Sequence, residues 1–286
     1  MLFRSGLIDG ANGEGHWWFM DWVPHWTPPD HRGVPPGAEF GVNGTVNWQY
    51  ALVLGLASEL ETFVGEPELA QRNRWRAAAA AKTAAETFWD EDRRLFADDP
   101  EKNHFSEHAQ CMALLSGELD ANTADFLADR LFSEPDLDRT TISFAHYLFE
   151  TCAAFGRADV FLDRLDFWFG CLERGARTTV ERDHPSRSDC HGWGAHPIYQ
   201  FLATILGIRP ACMGFETVRI EPRLGSLRHA TGSLPHPQGD IDVALRVDEN
   251  GRIRGTVGLP ETLSGTFVAG GTTQPLRGGE QHVEAP

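Results

Sequence analysis

Basic charge is scarce in this chain of 286 residues: Lys plus Arg total 25 against 41 Asp plus Glu, for a net charge of −16. Nucleic-acid affinity rests on clustered cations, and an anionic membrane surface repels a strongly acidic protein, so neither is an expected partner. No stretch reaches the roughly 18 apolar residues a membrane span needs. Met1-Leu2-Phe3-Arg4-Ser5-Gly6 lacks the apolar core of a signal peptide, which makes a cytoplasmic location the expectation. The five cysteines, Cys111, Cys152, Cys171, Cys190 and Cys212, form no CxxC pair and are widely spaced, so neither a disulfide framework nor a zinc knuckle is indicated. They are expected mostly as buried, inert thiols. Lysine is represented only by Lys82 and Lys102.

What is present is an ordinary globular composition, 41% hydrophobic and 23% charged, long enough for a sizeable core. The first 45 residues are aromatic and irregular: Trp17, Trp18, Trp22 and Trp26, with Trp48 just beyond them, are interleaved with His16, Asp21 and His25. Pro28-Pro29 and Pro35-Pro36 forbid a continuous helix there. A loop-built surface and a tryptophan-packed extension account for this stretch equally well.

Residues 45 to 213 carry helical periodicity. Val53, Leu56, Ala57, Leu60 and Val64 fall on one helical face, Gly65 stops that helix, and Pro67 opens the next. Ala78, Ala81, Ala85 and Phe88 continue it. Ser106 and Asn122 are predicted N-caps. Ile142, Ala145, Phe149 and Cys152 form one stripe, and Phe161, Leu165, Trp168 and Leu172 another. A last helix is predicted from about Ala195 to Leu206, ending at Gly207. About seven helices in short-looped hairpins follow, with no strand among them. Beyond Pro210 the period changes to two, at Val218 and Ile220 and at Ile241, Val243, Leu245 and Val247. Asn250-Gly251 signals a hairpin turn, and Ile253, Gly255 and Val257 the returning strand. The predicted division is a helical domain over 1–215 and a small antiparallel β module over 216–286.

Chemistry is expected in the polar loop between Gly175 and His196. The spacing of His184, Asp189, Cys190, His191 and His196 fits no usual metal pattern. Cys190 and His191 are adjacent and cannot readily face each other as nucleophile and base. A carboxylate beside tryptophan, Glu181 with His191 and Trp193, is the equipment of glycosidic-bond hydrolysis, in which tryptophan faces the sugar ring. The competing reading makes Glu181 a solvated loop charge and Trp193 core. No metal or cofactor is called for.

In the order they occur, Asp21-Trp22, Asn47…Tyr50, Phe105-Ser106-Glu107-His108-Ala109-Gln110, Thr178-Thr179-Val180-Glu181, Arg187-Ser188-Asp189-Cys190-His191-Gly192-Trp193, Leu206-Gly207-Ile208-Arg209-Pro210, Gly214-Phe215…Val218-Arg219-Ile220-Glu221-Pro222 and Ala230-Thr231-Gly232…Pro235-His236-Pro237-Gln238-Gly239-Asp240-Ile241 resemble the C-terminal half of bacterial α-L-rhamnosidases of glycoside hydrolase family 78. The resemblance implies a mainly α fold, an (α/α)6-type helical-hairpin barrel incomplete at its N-terminus, followed by a small antiparallel β-sandwich. It implies inverting hydrolysis of terminal α-L-rhamnosides, with Glu181 the general base. Asp21, Trp22, Trp18, His191 and Trp193 are the substrate-binding residues it suggests, and Tyr147 and Glu150 are weaker candidates. The family's general-acid motif lies upstream of the Asp-Trp loop, and Asp9 and Glu14 do not reproduce it. The expectation is therefore a fragment, a misplaced start, or a shortened relative completed by another chain or by a homo-oligomer. The alternatives are a non-catalytic carbohydrate-binding or structural remnant and a six-hairpin glycosidase for another sugar.

Overall fold

The computed structural model of the protein describes residues 6–10, 19–26, 33–38 and 41–286. Helices α1 (Gly44–Phe63), α2 (Pro67–Phe88), α3 (Glu107–Leu115), α4 (Ala121–Ser133), α5 (Ala145–Ala154), α6 (Ala158–Arg164) and α7 (Asp166–Glu173) precede the two four-stranded sheets. Contacts divide the chain into two units, one running to Thr151 and including Thr178–Gly194, the other made of Cys152–Arg177 and Ala195–Pro286.

In the first unit, Asn43 caps α1, its side chain accepting from the Val46 amide at 3.0 Å. Asn47, one turn in, exchanges hydrogen bonds with the backbone of Ile8 and so pins the segment 6–10 to the helix. Trp48, Ala51 and Leu54 are the inward residues, and Trp48 packs on Phe96 with ring centroids 4.7 Å apart. Gly65, with φ of +84°, ends the helix, and Pro67 occupies the first turn of α2. Ser106 caps α3, but α4 is capped by Asp120 rather than Asn122, because the carboxylate two residues earlier reaches the Thr123 amide at 3.1 Å. A two-residue hairpin, β1 (Trp89–Asp90) with β2 (Leu95–Phe96), interrupts the helices where none was expected. Such short strands leave no alternation to read.

The apolar stripe that identifies α1 is its outward face. Val53, Leu56, Leu60, Phe63 and Val64 are between 53% and 60% exposed, while Ala51, Leu54 and Ser58 are buried, Ser58 Oγ donating to the Ala70 carbonyl of α2. A contiguous apolar strip of this kind drives association. Light scattering is expected to show self-association that rises with concentration and is relieved by Leu60→Glu; an unchanging monomer contradicts this.

Asp98 is a buried acid in the same unit. One carboxyl oxygen accepts from Ser106 Oγ at 2.7 Å and Thr45 Oγ1 at 3.2 Å, and the other has no partner among the described residues. Burial, reinforced by the charge of Asp138 and opposed by the Ser106 hydrogen bond, pushes its pKa up to about 8. Because the folded value lies above the unfolded one, its contribution to stability is lost as pH rises from about 4 towards 8. Asp98→Asn, which keeps the accepting oxygen, is expected to flatten the fall in Tm between pH 5 and pH 8. An unaltered slope contradicts the assignment.

In the second unit, the predicted stripe from Phe161 to Leu172 is split at Leu165 between α6 and α7, leaving Phe161 and Leu165 buried but Leu172 exposed. The predicted last helix is a short α8 (Pro197–Gln200) continued by a π-helical turn over Phe201–Ile205. Gly207 ends it at φ +71°, where a Cβ would lie 2.0 Å from the Glu221 carbonyl oxygen. Eight strands follow, β3 (Ile208–Pro210), β4 (Thr217–Ile220), β5 (His229–His236), β6 (Gly239–Val247), β7 (Ile253–Leu259), β8 (Ser264–Ala269), β9 (Thr272–Leu276) and β10 (Gly279–Ala285). They form two four-stranded sheets, ordered β10-β7-β6-β5 and β3-β4-β8-β9. The first is antiparallel throughout, with Ile241, Val243, Leu245, Val257 and Val283 buried on one face. The second is not: β4 and β8 run parallel, a pairing invisible to an alternation pattern that carries no direction. Asn250-Gly251 forms the predicted β6–β7 turn, with Gly251 at φ +80°. Of the cysteines, Cys111, Cys152 and Cys171 are buried and free, but Cys190 and Cys212 are exposed.

Candidate functional site

Three stretches of the first unit meet at one place. The segment 19–26 is tied to Gly33, whose carbonyl accepts from the amides of Met20 and Asp21 at 2.9 and 3.1 Å. Asp21 is fully buried and is the centre of a network. It accepts from His108 Nε2 at 2.8 Å, from the Thr141 amide at 2.7 Å, from the Thr141 hydroxyl, and from the Trp22 amide at 2.9 Å. His108, on the first turn of α3, is buried between the rings of Trp26 and Phe144, and its Nδ1 has no partner among the described residues. The Asp21 oxygens are thus engaged by the protein, and the consequence is a fixed place for Trp22.

The loop 178–194 supplies the other side. Its two limbs are joined by His191 N to Thr179 O at 2.8 Å, Thr179 Oγ1 to His191 O at 2.6 Å, and Glu181 N to Ser188 O at 2.8 Å. Trp193 Nε1 donates to the Glu181 carbonyl at 2.9 Å and locks the indole to the carboxylate's own residue. Trp193 stacks on Phe19 at 5.7 Å with 9° between planes, Phe19 meets Trp22 at 4.8 Å, and His191 lies 4.2 Å from Trp193. Arg182 and Arg187 lie over the Trp22 ring at 4.9 and 5.4 Å. Glu181 is only 3% exposed, and its Oε1 is 3.3 Å from Nη2 of Arg187, a residue whose side chain is 57% exposed. A buried carboxylate whose cationic partner reaches in from solvent can exchange that partner for another polar group without leaving its charge stranded.

Beside this cluster lies a cavity of about 400 Å³, lined by Phe19, Trp193, Tyr147, Ser143, Asn43 and Gln49 among others. That volume admits a small polar ligand. Two aromatic walls and several hydroxyl and amide groups suit a sugar.

The structure therefore brings together Asp21, Trp22, Glu181, His191 and Trp193, of which only Trp193 lines the cavity, and adds Tyr147 as a second cavity wall. Trp18 lies outside the described residues. Glu150, half-buried on α5, is not among the residues lining this cavity. Sequence reasoning missed Phe19, Arg182, Arg187, His108 and Thr141. His108 falls inside the segment 105–110 already singled out, but nothing local signals a partner 87 residues away. Among the described residues no three His, Cys, Asp or Glu side chains group to hold a metal ion.

No family model matches the chain. It is similar to an α-L-rhamnosidase of Alteromonas sp. (strain LOR), 27% identical over 272 residues, which is 87% of this chain and 29% of that protein. Its fold is similar to that of the family 78 rhamnosidase of Bacillus sp. GL1, with a TM-score of 0.80 and 24% identity over 93% of this chain and 29% of that one. The α-L-rhamnosidase of Aspergillus terreus matches with a TM-score of 0.78 and 18% identity, over 96% of this chain and 34% of that one. The chain thus spans about a third or less of the length of these relatives.

Proposed function

We propose that this chain is part of a glycoside hydrolase of the α-L-rhamnosidase type, acting on terminal α-L-rhamnosyl residues with inversion. The observation that carries the proposal is Glu181, a buried carboxylate fixed by its own backbone to Trp193 and grouped with Trp22, His191 and Phe19 beside a sugar-sized cavity. The similarity to α-L-rhamnosidases in sequence and fold supports it.

Glu181 is the general base. In an inverting reaction the base removes a proton from a water that attacks the anomeric carbon from the face opposite the leaving group, and an acid protonates the departing oxygen. Trp193 holds the ring by its face and Tyr147 offers a hydrogen bond to its hydroxyls, both being walls of the cavity, while Trp22 packs on Phe19 and His191 on Trp193. Asp21 is a positioning residue, which sets Trp22 through its bonds to His108 and Thr141. On the same reading the helical part corresponds to a portion of an (α/α)6 barrel and the two sheets to a β-sandwich.

The test is hydrolysis of 4-nitrophenyl α-L-rhamnoside, with the first-formed sugar followed by proton NMR. Release of β-L-rhamnose is the expected result. Release of the α-anomer rejects inversion, and turnover of other aryl glycosides in preference to the rhamnoside rejects the sugar.

A further inference from the structure

We propose that Trp22 is a platform on which Arg187 is held against Glu181, so that both are positioning residues for the carboxylate rather than part of the surface that meets the sugar. Their part in catalysis rests on the function proposed above; the contact itself does not.

Trp22 is set from one side by Asp21, which accepts from its amide at 2.9 Å, and from another by Phe19, whose ring centroid is 4.8 Å away. It is not among the residues that line the cavity. What its ring carries is cationic: the guanidinium carbons of Arg182 and Arg187 lie 4.9 and 5.4 Å from its centroid. Both fall within the roughly 6 Å over which a ring face attracts a cation, and indole is the best of the aromatic faces for this.

The loop 178–194 delivers Arg187 to the same place. The Ser188 carbonyl accepts from the Glu181 amide at 2.8 Å and from Ser186 Oγ at 2.7 Å, so the residues on either side of Arg187 are tied to the backbone of Glu181. Nη2 of Arg187 is 3.3 Å from Glu181 Oε1, although 57% of the arginine side chain is exposed. An exposed arginine gives up much rotamer freedom when it is fixed, which is why surface ion pairs contribute little. A planar guanidinium resting on an indole has already lost part of that freedom. Arg182 makes no ion pair among the described residues, so of the two cations on this ring Arg187 alone meets a carboxylate.

Glu181 gains an orientation from this. Its backbone is held at both polar atoms, the amide by Ser188 and the carbonyl by Trp193 Nε1. Only the side-chain torsions remain, and Arg187 restrains them through Oε1. Oε2 accepts no hydrogen bond among the described residues, which makes it the oxygen that faces a water. One line of contacts therefore runs from the buried Asp21 through Trp22 and Arg187 to the base.

The experiment labels the carboxyl groups of the full chain with a water-soluble carbodiimide and glycine ethyl ester, and reads each site by peptide mass spectrometry. Arg187→Gln is expected to speed labelling of Glu181 by about fivefold or more. Glu107, a buried carboxylate that accepts from the Thr140 amide, should stay as protected as in the parent. Trp22→Leu should also speed labelling of Glu181, and the double variant no more than Arg187→Gln alone, because the platform acts only through the arginine. Arg187→Lys keeps the charge without the flat guanidinium and should fall between parent and Arg187→Gln. Three results overturn the proposal: Glu181 equally protected in parent and Arg187→Gln, additive effects of the Trp22 and Arg187 substitutions, or Glu107 opening in step with Glu181. In rhamnoside hydrolysis, Arg187→Gln is expected to lower kcat by about 10–100-fold with KM unchanged, and to do nothing further in a Glu181→Gln background. Turnover indifferent to Glu181→Gln rejects the base and leaves labelling to judge the contact. A loss on Glu181→Gln with none on Arg187→Gln rejects the positioning role and keeps the base.

Discussion

Glu181→Gln is expected to lower rhamnoside hydrolysis by about 10²–10⁴-fold, the usual contribution of a positioned base. Glutamine keeps the shape of the side chain and an oxygen for Arg187, but it cannot take a proton from water. The loss should fall on kcat, because Trp193 and Tyr147, which hold the sugar, are untouched. Stability should change little, since the ion pair removed has a half-exposed arginine as its other member. Steady-state kinetics beside a thermal melt checks both halves of the expectation. Unchanged turnover removes Glu181 from the mechanism. A collapsed melt instead makes it a structural acid.

Asp21→Ala has the largest expected effect on stability, a loss of about 3–5 kcal/mol. The carboxyl is fully buried and accepts four hydrogen bonds, from the imidazole of His108, the amide and hydroxyl of Thr141, and the amide of Trp22. Alanine leaves all four donors facing a space with no acceptor, and a buried donor without a partner costs its full desolvation. Asp21→Asn fills the same volume and keeps one accepting oxygen, so its effect should be intermediate. Urea unfolding of the two variants against the parent measures this. If Asp21→Ala unfolds at the same urea concentration as the parent, the network holds nothing together. With Trp22 released, sugar affinity should also fall in any variant that remains folded.

These two residues show how differently local and distant information is written in the chain. Glu181, His191 and Trp193 are close in sequence, within a polar loop between apolar helices, and the structure does group them. What holds Asp21 is Thr141, 120 residues on, and His108, 87 residues on, and no local pattern encodes those pairings. The helices are legible because their periodicity is strong, but periodicity does not say which face is inward. In α1 the best apolar stripe points out, and a sparser set of Trp48, Ala51 and Leu54 makes the core. The competition between caps was decided for Asp120 over Asn122 by a register of two residues that both side chains satisfy equally well on paper. The hairpin from Trp89 to Phe96 was too short to alternate, and the parallel β4–β8 pair has no signature distinct from an antiparallel one.

That parallel pair has a kinetic consequence. One sheet draws on β5, β6, β7 and β10, the other on β3, β4, β8 and β9, so each is interrupted in sequence by strands of the other. The hairpins β5–β6 and β6–β7 close short loops and can form early, whereas the Thr217–Ser264 pairing must wait for the intervening chain to be drawn together. β10 then returns past β8 and β9 to pair with β7 along its whole length, from Gly279 to Ala285. Neither sheet can be completed before nearly all of the C-terminal segment is available, so the sheets should be acquired in a single late step, and a chain cut before Gly279 should be trapped short of it.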